Sequence, residues 1–272
     1  MAGRRDVRQA VQSGATFRLI SGAGSPHGDH RGRNRPRLNG PRPIRRPTRL
    51  RRRLVATAAS SLTRFDAPAV DAFTRPRATI LMLHGGKPRS HALVDDRSAS
   101  WQRTAWMARS ITDRAHEAST NVWLLRYSER GWNGDGAGRI ADARWALDEI
   151  RTAHGDRPVI LLGHSMGGRV AVHVAADPSV VGVVALAPWW EETDPVRTLS
   201  GRSLIAAHGR RDRLTSFAET QRFVGRARSV ASHAEFVDMG PLGHYLLKGA
   251  GAWNDVAIES ALRILAPASR GL

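Results

Sequence analysis

The chain has 272 residues, 41% hydrophobic and 24% charged, which is enough apolar content for one sizeable buried core. It contains no cysteine, so disulfides, thiolate catalysis and cysteine-ligated metal are excluded. The formal net charge of +18 is concentrated at one end, since through Arg53 there are 15 arginines against only Asp6 and Asp29.

Residues 1–55, with "HRGRNRPRLNGPRPIRRPTRLRRR" at their heart, lack apolar periodicity and are dense in Arg, Pro and Gly. Such a segment cannot bury enough surface to offset its chain entropy, so a disordered arm is expected. Its arginines could displace counterions from nucleic acid or an anionic membrane, although no aromatic residue interleaves the run as a base-stacking surface requires. The plainer reading is a solvated tail, or a start assigned too far upstream. The following "LVATAASSL" is short and weakly apolar; a twin-arginine-type export signal is the alternative to the default expectation of a cytoplasmic protein. No run approaches the roughly 18 apolar residues of a membrane span.

From residue 78 onward short apolar runs alternate with helical patterns, which predicts a mostly parallel sheet with helices on both faces, in one α/β domain from about 65 to 268. The runs are "ATILMLHGG", "NVWLLRYS", "PVILLGHS", "VVGVVALAP", "SLIAAHGRRD" and "HAEFVDMG". Each is continuously apolar, the pattern of a strand buried on both sides. "RIADARWALDEIRTAH" places Ile140, Ala143, Leu147 and Ile150 on one helical stripe. "MGGRVAVHVAA" and "WNDVAIESALRILAPA" read as two further helices, stopped near Pro178 and Pro267.

"PVILLGHSMGG" joins a strand to a helix through Ser165, with Gly163 and Gly167 two residues to either side. Gly-x-Ser-x-Gly alone is weak, but strand, tight turn and helix together are what presents a hydroxyl above a sheet edge. A serine hydroxyl needs a histidine to take its proton and a carboxylate to orient that histidine. Asp212 and His244 follow two later strands, at the carboxyl ends where parallel sheets place their sites. His233 precedes its strand and falls at the wrong edge. Glu191, Glu192 and Asp194 could supply a relocated acid, and Asp238 reads as a loop cap. His164 and His208 are expected to order neighbouring loops.

Charge developing on a tetrahedral intermediate needs preorganised donors. The amide of Met166 is one, and the amide of Gly86 or Lys87 in "HGGK" is the second; the Lys87 ammonium could instead face an anionic substrate group. "HGG" after the first of these strands, "GHSMGG", "HGRRD" and "GH", in that order, resemble the α/β-hydrolase family over residues 78 to about 265. The resemblance implies an eight-stranded sheet with an antiparallel two-stranded edge, for which only "RRLVATAASS" and "AVDAFTR" remain. It further implies a serine hydrolase, and "PWWEETDPVRTLSGR" is too short for the helical cap that many members carry.

The expected activity is cofactor-independent and metal-free cleavage of a small acyl ester or thioester through an acyl-enzyme. Trp189 and Trp190 are candidate walls of an acyl pocket, and "RYSERGWNGDGAG" a flexible loop at its rim. Two other readings share the fold. One is a non-catalytic binding protein tethered to nucleic acid by the basic arm, and the other is a haloperoxidase-like perhydrolase using the same three residues.

Overall fold

A strand that is apolar at every position is stable only when both its faces are covered, and five of the six apolar runs fold in that way, whereas the last, "HAEFVDMG", forms an edge strand with no fully buried residue. The computed structural model describes residues 59–68 and 75–266. The basic arm of residues 1–55 lies outside the described residues, as does most of "AVDAFTR". One sheet contains β1 (Ser61–Phe65), β2 (Ala78–Leu83), β3 (Thr120–Arg126), β4 (Val159–His164), β5 (Val180–Leu186), β6 (Ser203–His208) and β7 (His233–Asp238), in the order β1-β3-β2-β4-β5-β6-β7. Strands β2 to β7 run parallel, and β1 pairs antiparallel with β3.

Alternate residues of the strands point to opposite layers. Ile80, Met82, Val122, Leu124, Ile160 and Leu162 meet α1 (Ala99–Glu117) and α5 (Ala250–Leu265). Leu81, Leu83, Trp123, Leu125, Leu161 and Val183 meet α2 (Ala137–His154), α3 (Met166–Val174) and α4 (Phe217–Ala227). The central strand β4 is therefore sandwiched, and its carboxyl end is held by core on both sides. Among the described residues no helix is long and apolar enough to cross a membrane.

Three features differ from the sequence expectation. The sheet has seven strands among the described residues rather than eight, and a single antiparallel edge strand, "SLTRF", lies between the two segments that remained as candidates. It starts ahead of residue 65, and only Leu62 and Phe65 among its side chains pack on the core, so it carries little apolar signal. Helix α1 was also not anticipated, because it buries small and polar residues, Thr104, Ala105, Ala108, Thr112 and Ala115, beside only Met107 and Ile111. Helix α4 turns inward just Thr220, Phe223, Val224 and Ala227.

Between β5 and β6 the chain forms only one 3-10 turn, Arg197–Leu199, so that connection carries no helical cap. Trp253 is a sensitive probe of the packing, being fully buried on α5 against the sheet. Trp253→Ala is expected to cost about 3–5 kcal/mol, read as a lower urea midpoint with little change in the slope.

Candidate active site

Only one residue, Ser165, separates β4 from α3, so the chain must reverse within it. Its backbone sits at φ 55, ψ −118, a conformation costly for a residue with a side chain and held here by its surroundings. Ser165 N–H donates to Leu186 O at 3.0 Å, while its carbonyl accepts from Gly168 at 3.0 Å and Trp189 at 3.1 Å. The turn also forces backbones together: a Cβ on Gly163 would stand 2.4 Å from Gly167 O, and one on Gly167 would stand 2.0 Å from Leu83 O. Only glycine fits at either position, and the turn thrusts the Ser165 hydroxyl upward.

The loops after β6 and β7 bring two partners to that hydroxyl. Ser165 Oγ–H donates to His244 Nε2 at 3.0 Å, and His244 Nδ1–H donates to Asp212 Oδ2 at 2.7 Å. All three side chains are at least nine-tenths buried. Asp212 is held from every side. Its Oδ1 accepts from the amides of Leu214 at 2.8 Å and Thr215 at 2.9 Å, and its Oδ2 accepts from Thr215 Oγ1 at 2.8 Å and His208 Nε2 at 3.2 Å. Burial alone would raise this carboxyl. The hydrogen bonds from His208, His244 and the two amides outweigh it, and Asp212 stays well below the usual carboxylate range.

The other histidines near the row act on loops. His164 Nε2–H donates to the carbonyl of His244 at 2.9 Å, tying the loop after β7 to the end of β4. His208 Nδ1 accepts from Thr220 Oγ1 at 2.8 Å. His84 Nδ1–H donates to Gly85 O at 2.6 Å, and its Nε2 accepts from the Tyr127 amide at 3.3 Å. Thr215 was not singled out in the sequence; its hydroxyl lies 2.8 Å from Asp212, 3.1 Å from His244 Nδ1 and 3.2 Å from Ala187 O, joining three loops. The only sequence hint was its place three residues after the acid.

The remaining candidate acids and base are engaged elsewhere. Asp194 pairs with Arg169 at 2.9 Å and His173 at 3.0 Å, and Glu191 pairs with Arg169 at 2.8 Å. Glu192 accepts from Arg226 only through its backbone carbonyl, at 2.7 Å. Asp238 caps its loop by accepting from Gly240 N at 2.9 Å, and His233 opens β7 at the opposite edge, beside Glu235. Among the described residues no cluster of three His, Asp or Glu could hold a metal ion.

Three expectations about the surroundings require correction. The Lys87 amide is spent on Arg130 O at 2.9 Å, so Lys87 cannot be the second donor, whereas the amides of Gly86 and Met166 have no partner among the described residues. The segment after β3 is not a flexible rim. Its backbone is stitched to the "HGGK" loop by Trp132 N–H to Lys87 O at 2.8 Å and Asn133 N–H to Pro88 O at 3.1 Å. Beneath it the buried Arg139 donates to Gly131 O at 3.0 Å, Ser128 Oγ at 2.6 Å and Asp142 Oδ2 at 2.9 Å.

The tryptophans also do other work than expected. Trp190 is buried, stacks on Phe223 at 4.0 Å and donates to Gly168 O at 3.0 Å, so it is core beneath α3. Trp189 and Trp132, packed edge to face on each other, both contact the Arg169 guanidinium, at 4.8 and 4.5 Å. Neither Trp189 nor Trp190 lines the cleft that reaches Ser165. That cleft, of about 440 Å³, is walled by Gly85, Gly86, Ser98, His164, His244 and Tyr245 together with several cations.

The family model described as alpha/beta hydrolase fold matches residues 78–237, the stretch that carries β2 to β7 and the strand-to-helix turn at Ser165. The chain belongs to that family. It is similar in fold to the butyrate-bound esterase Est2 of Thermogutta terrifontis, with a TM-score of 0.58 at 14% identity, covering 80% of this chain and 94% of that one. A serine hydrolase without lid from Xanthomonas campestris gives 0.54 at 16% identity, over 78% and 97%. An alpha-beta serine hydrolase homologue from Coxiella burnetii gives 0.55 at 15%, over 74% and 90%. No curated protein matches the sequence.

Burial lowers the His84 imidazole to about 4, and burial beside His244 lowers His164 to about 3. Both bases therefore fold neutral and, once unfolded, take up protons below about pH 6.5. Their contribution is complete above that pH and shrinks as pH falls, by about 2 kcal/mol each at pH 5. Urea unfolding at pH 7 and pH 5 is expected to show this loss, and His164→Asn is expected to flatten the dependence.

Proposed function

We propose that the protein is a serine hydrolase that cleaves carboxylic esters or thioesters of small substrates through an acyl-enzyme. The observation that carries this reading is the row Ser165–His244–Asp212, with bonds of 3.0 and 2.7 Å, beneath two amides that have no partner among the described residues, at an open cleft. Neighbours of the same fold that are described as esterases and serine hydrolases support it.

In this mechanism Ser165 Oγ forms a bond to the substrate carbonyl carbon as its proton passes to His244 Nε2. Asp212, kept ionised, stabilises the imidazolium and holds Nδ1 protonated. The carbonyl oxygen takes the negative charge and is met by the N–H groups of Met166, at the amino end of α3, and Gly86; one such donor contributes about 3 kcal/mol. Collapse breaks the bond to the leaving alcohol or thiol, which receives its proton from His244. Water then attacks the acyl carbon, giving its proton to His244, and the second collapse releases the acid and restores the Ser165 hydroxyl. Thr215 is a positioning residue that keeps Asp212 and the His244 ring aligned. The uncapped edge suits a small or extended substrate that needs no lid to open.

A fluorophosphonate probe is expected to label the folded protein at Ser165 and to leave Ser165→Ala unlabelled. With p-nitrophenyl esters, Asp212→Asn is expected to lower kcat about ten-thousandfold while the protein stays folded. An unlabelled, folded protein without turnover would remove the hydrolase reading in favour of a binding role.

A further inference from the structure

The cleft above Ser165 has an unbalanced charge. Lys87, Arg97, Arg103 and Arg130 line it, and no carboxylate does so among the described residues. Arg130 is satisfied, through Nε to Leu93 O at 2.9 Å and through its terminal nitrogen to Asp95 at 2.9 Å. Arg103 is not: it has no ion pair among the described residues, and its buried Nε has no hydrogen-bond partner. It rises from the first turns of α1 with its guanidinium over the Tyr245 ring at 4.9 Å. Burial works against its charge. A half-buried guanidinium left without a counter-charge is costly, and an anion that enters the cleft relieves that cost.

Two further observations point the same way. The amino end of α1 borders the cleft at Ser98, Ala99 and Ser100, with no side-chain cap and no acidic residue in its first turn. Its first-turn amides and dipole therefore favour negative charge on the same side as Arg103. The Lys87 side chain is exposed and lines this cleft although its amide is spent on Arg130, and no ion pair engages its ammonium among the described residues.

We propose that this cleft selects substrates bearing an anionic group, a carboxylate or phosphate, beside the scissile bond, with Arg103 as the principal binding residue and Lys87 and Arg97 at the mouth. The inference rests on the hydrolase reading for its chemistry, but the anion site itself can be measured without turnover. Arg103 presents two or more N–H donors to one oxyanion group, which an ammonium cannot match, so lysine would substitute for it poorly.

The test uses the full chain carrying Ser165→Ala, which binds esters without cleaving them. Ligand-observed titrations compare 3-acetoxybenzoate and 3-acetoxyphenyl phosphate with the neutral 3-methylphenyl acetate. At low salt at least one anion is expected to bind tenfold or more tightly than the neutral ester, with the preference shrinking toward parity in 0.5 M sodium chloride. Tenfold preference for the phosphate over the carboxylate identifies a phosphate site, and equal binding identifies a general anion site. Arg103→Met is expected to abolish the preference, and Lys87→Gln, on the exposed rim where folding is not at stake, to reduce it threefold or more. Equal binding of neutral and anionic esters, or a preference indifferent to both substitutions, overturns the proposal. Labelling of wild-type Ser165 by the fluorophosphonate would in that case leave the hydrolase reading standing. Anion binding by a protein whose Ser165 never reacts would do the reverse.

Discussion

The near-contact of two backbones, where the first turn of α3 lies against the end of β2, is the constraint on which the rest of the site depends. With only 2.0 Å between Leu83 O and the position of a Cβ on Gly167, the helix axis is fixed relative to the sheet as closely as backbone atoms permit. That approach puts Ser165 into its left-handed conformation and aims its hydroxyl upward. It also sets the Met166 amide at the helix amino end, beside the glycine loop that leaves β2. Strain at Ser165 is tolerated because bonds from Leu186, Gly168 and Trp189 determine it from three directions.

The glycine loop has its own support, which starts from a charge rather than from packing. Arg139 is buried beside Asp142, and the pair spends its remaining hydrogen-bonding capacity on Ser128 and Gly131. This fixes the segment after β3, which is stitched in turn to Lys87 and Pro88. A buried ion pair is weak evidence of net stability, but one whose atoms are all used specifies position well. Its product here is a Gly86 amide that has no hydrogen-bond partner among the described residues.

The strands before Ser165 and Asp212 were legible because burial on both faces leaves an unbroken apolar run, whereas His244 follows the half-exposed edge strand β7 and was placed by its order in the chain after them. What could not be read depends on contacts between distant segments. The loss of the Lys87 amide follows from its pairing with Arg130, 43 residues away, and no local pattern encodes that. Trp189 and Trp190 follow a strand end just as a pocket wall would. Their direction, however, is decided by Phe223 on α4 and Arg169 on α3. Helix α1 escaped notice because its buried stripe is mostly alanine and threonine, and with it went Arg103. Strand β1 is polar for the ordinary reason that an edge strand covers little core.

The ties between loops have a thermodynamic meaning beyond geometry. His164 bonds the carbonyl of His244, and Thr215 bonds Ala187, so the protein's own groups tie these loops together. Loops tied in this way are ordered by folding itself, and a molecule that binds beside them does not have to supply that entropy. Under the proposed hydrolase reading, affinity can then stay modest without slowing the bond-making step. Under that reading, discrimination between substrates passes to the groups at the rim of the cleft.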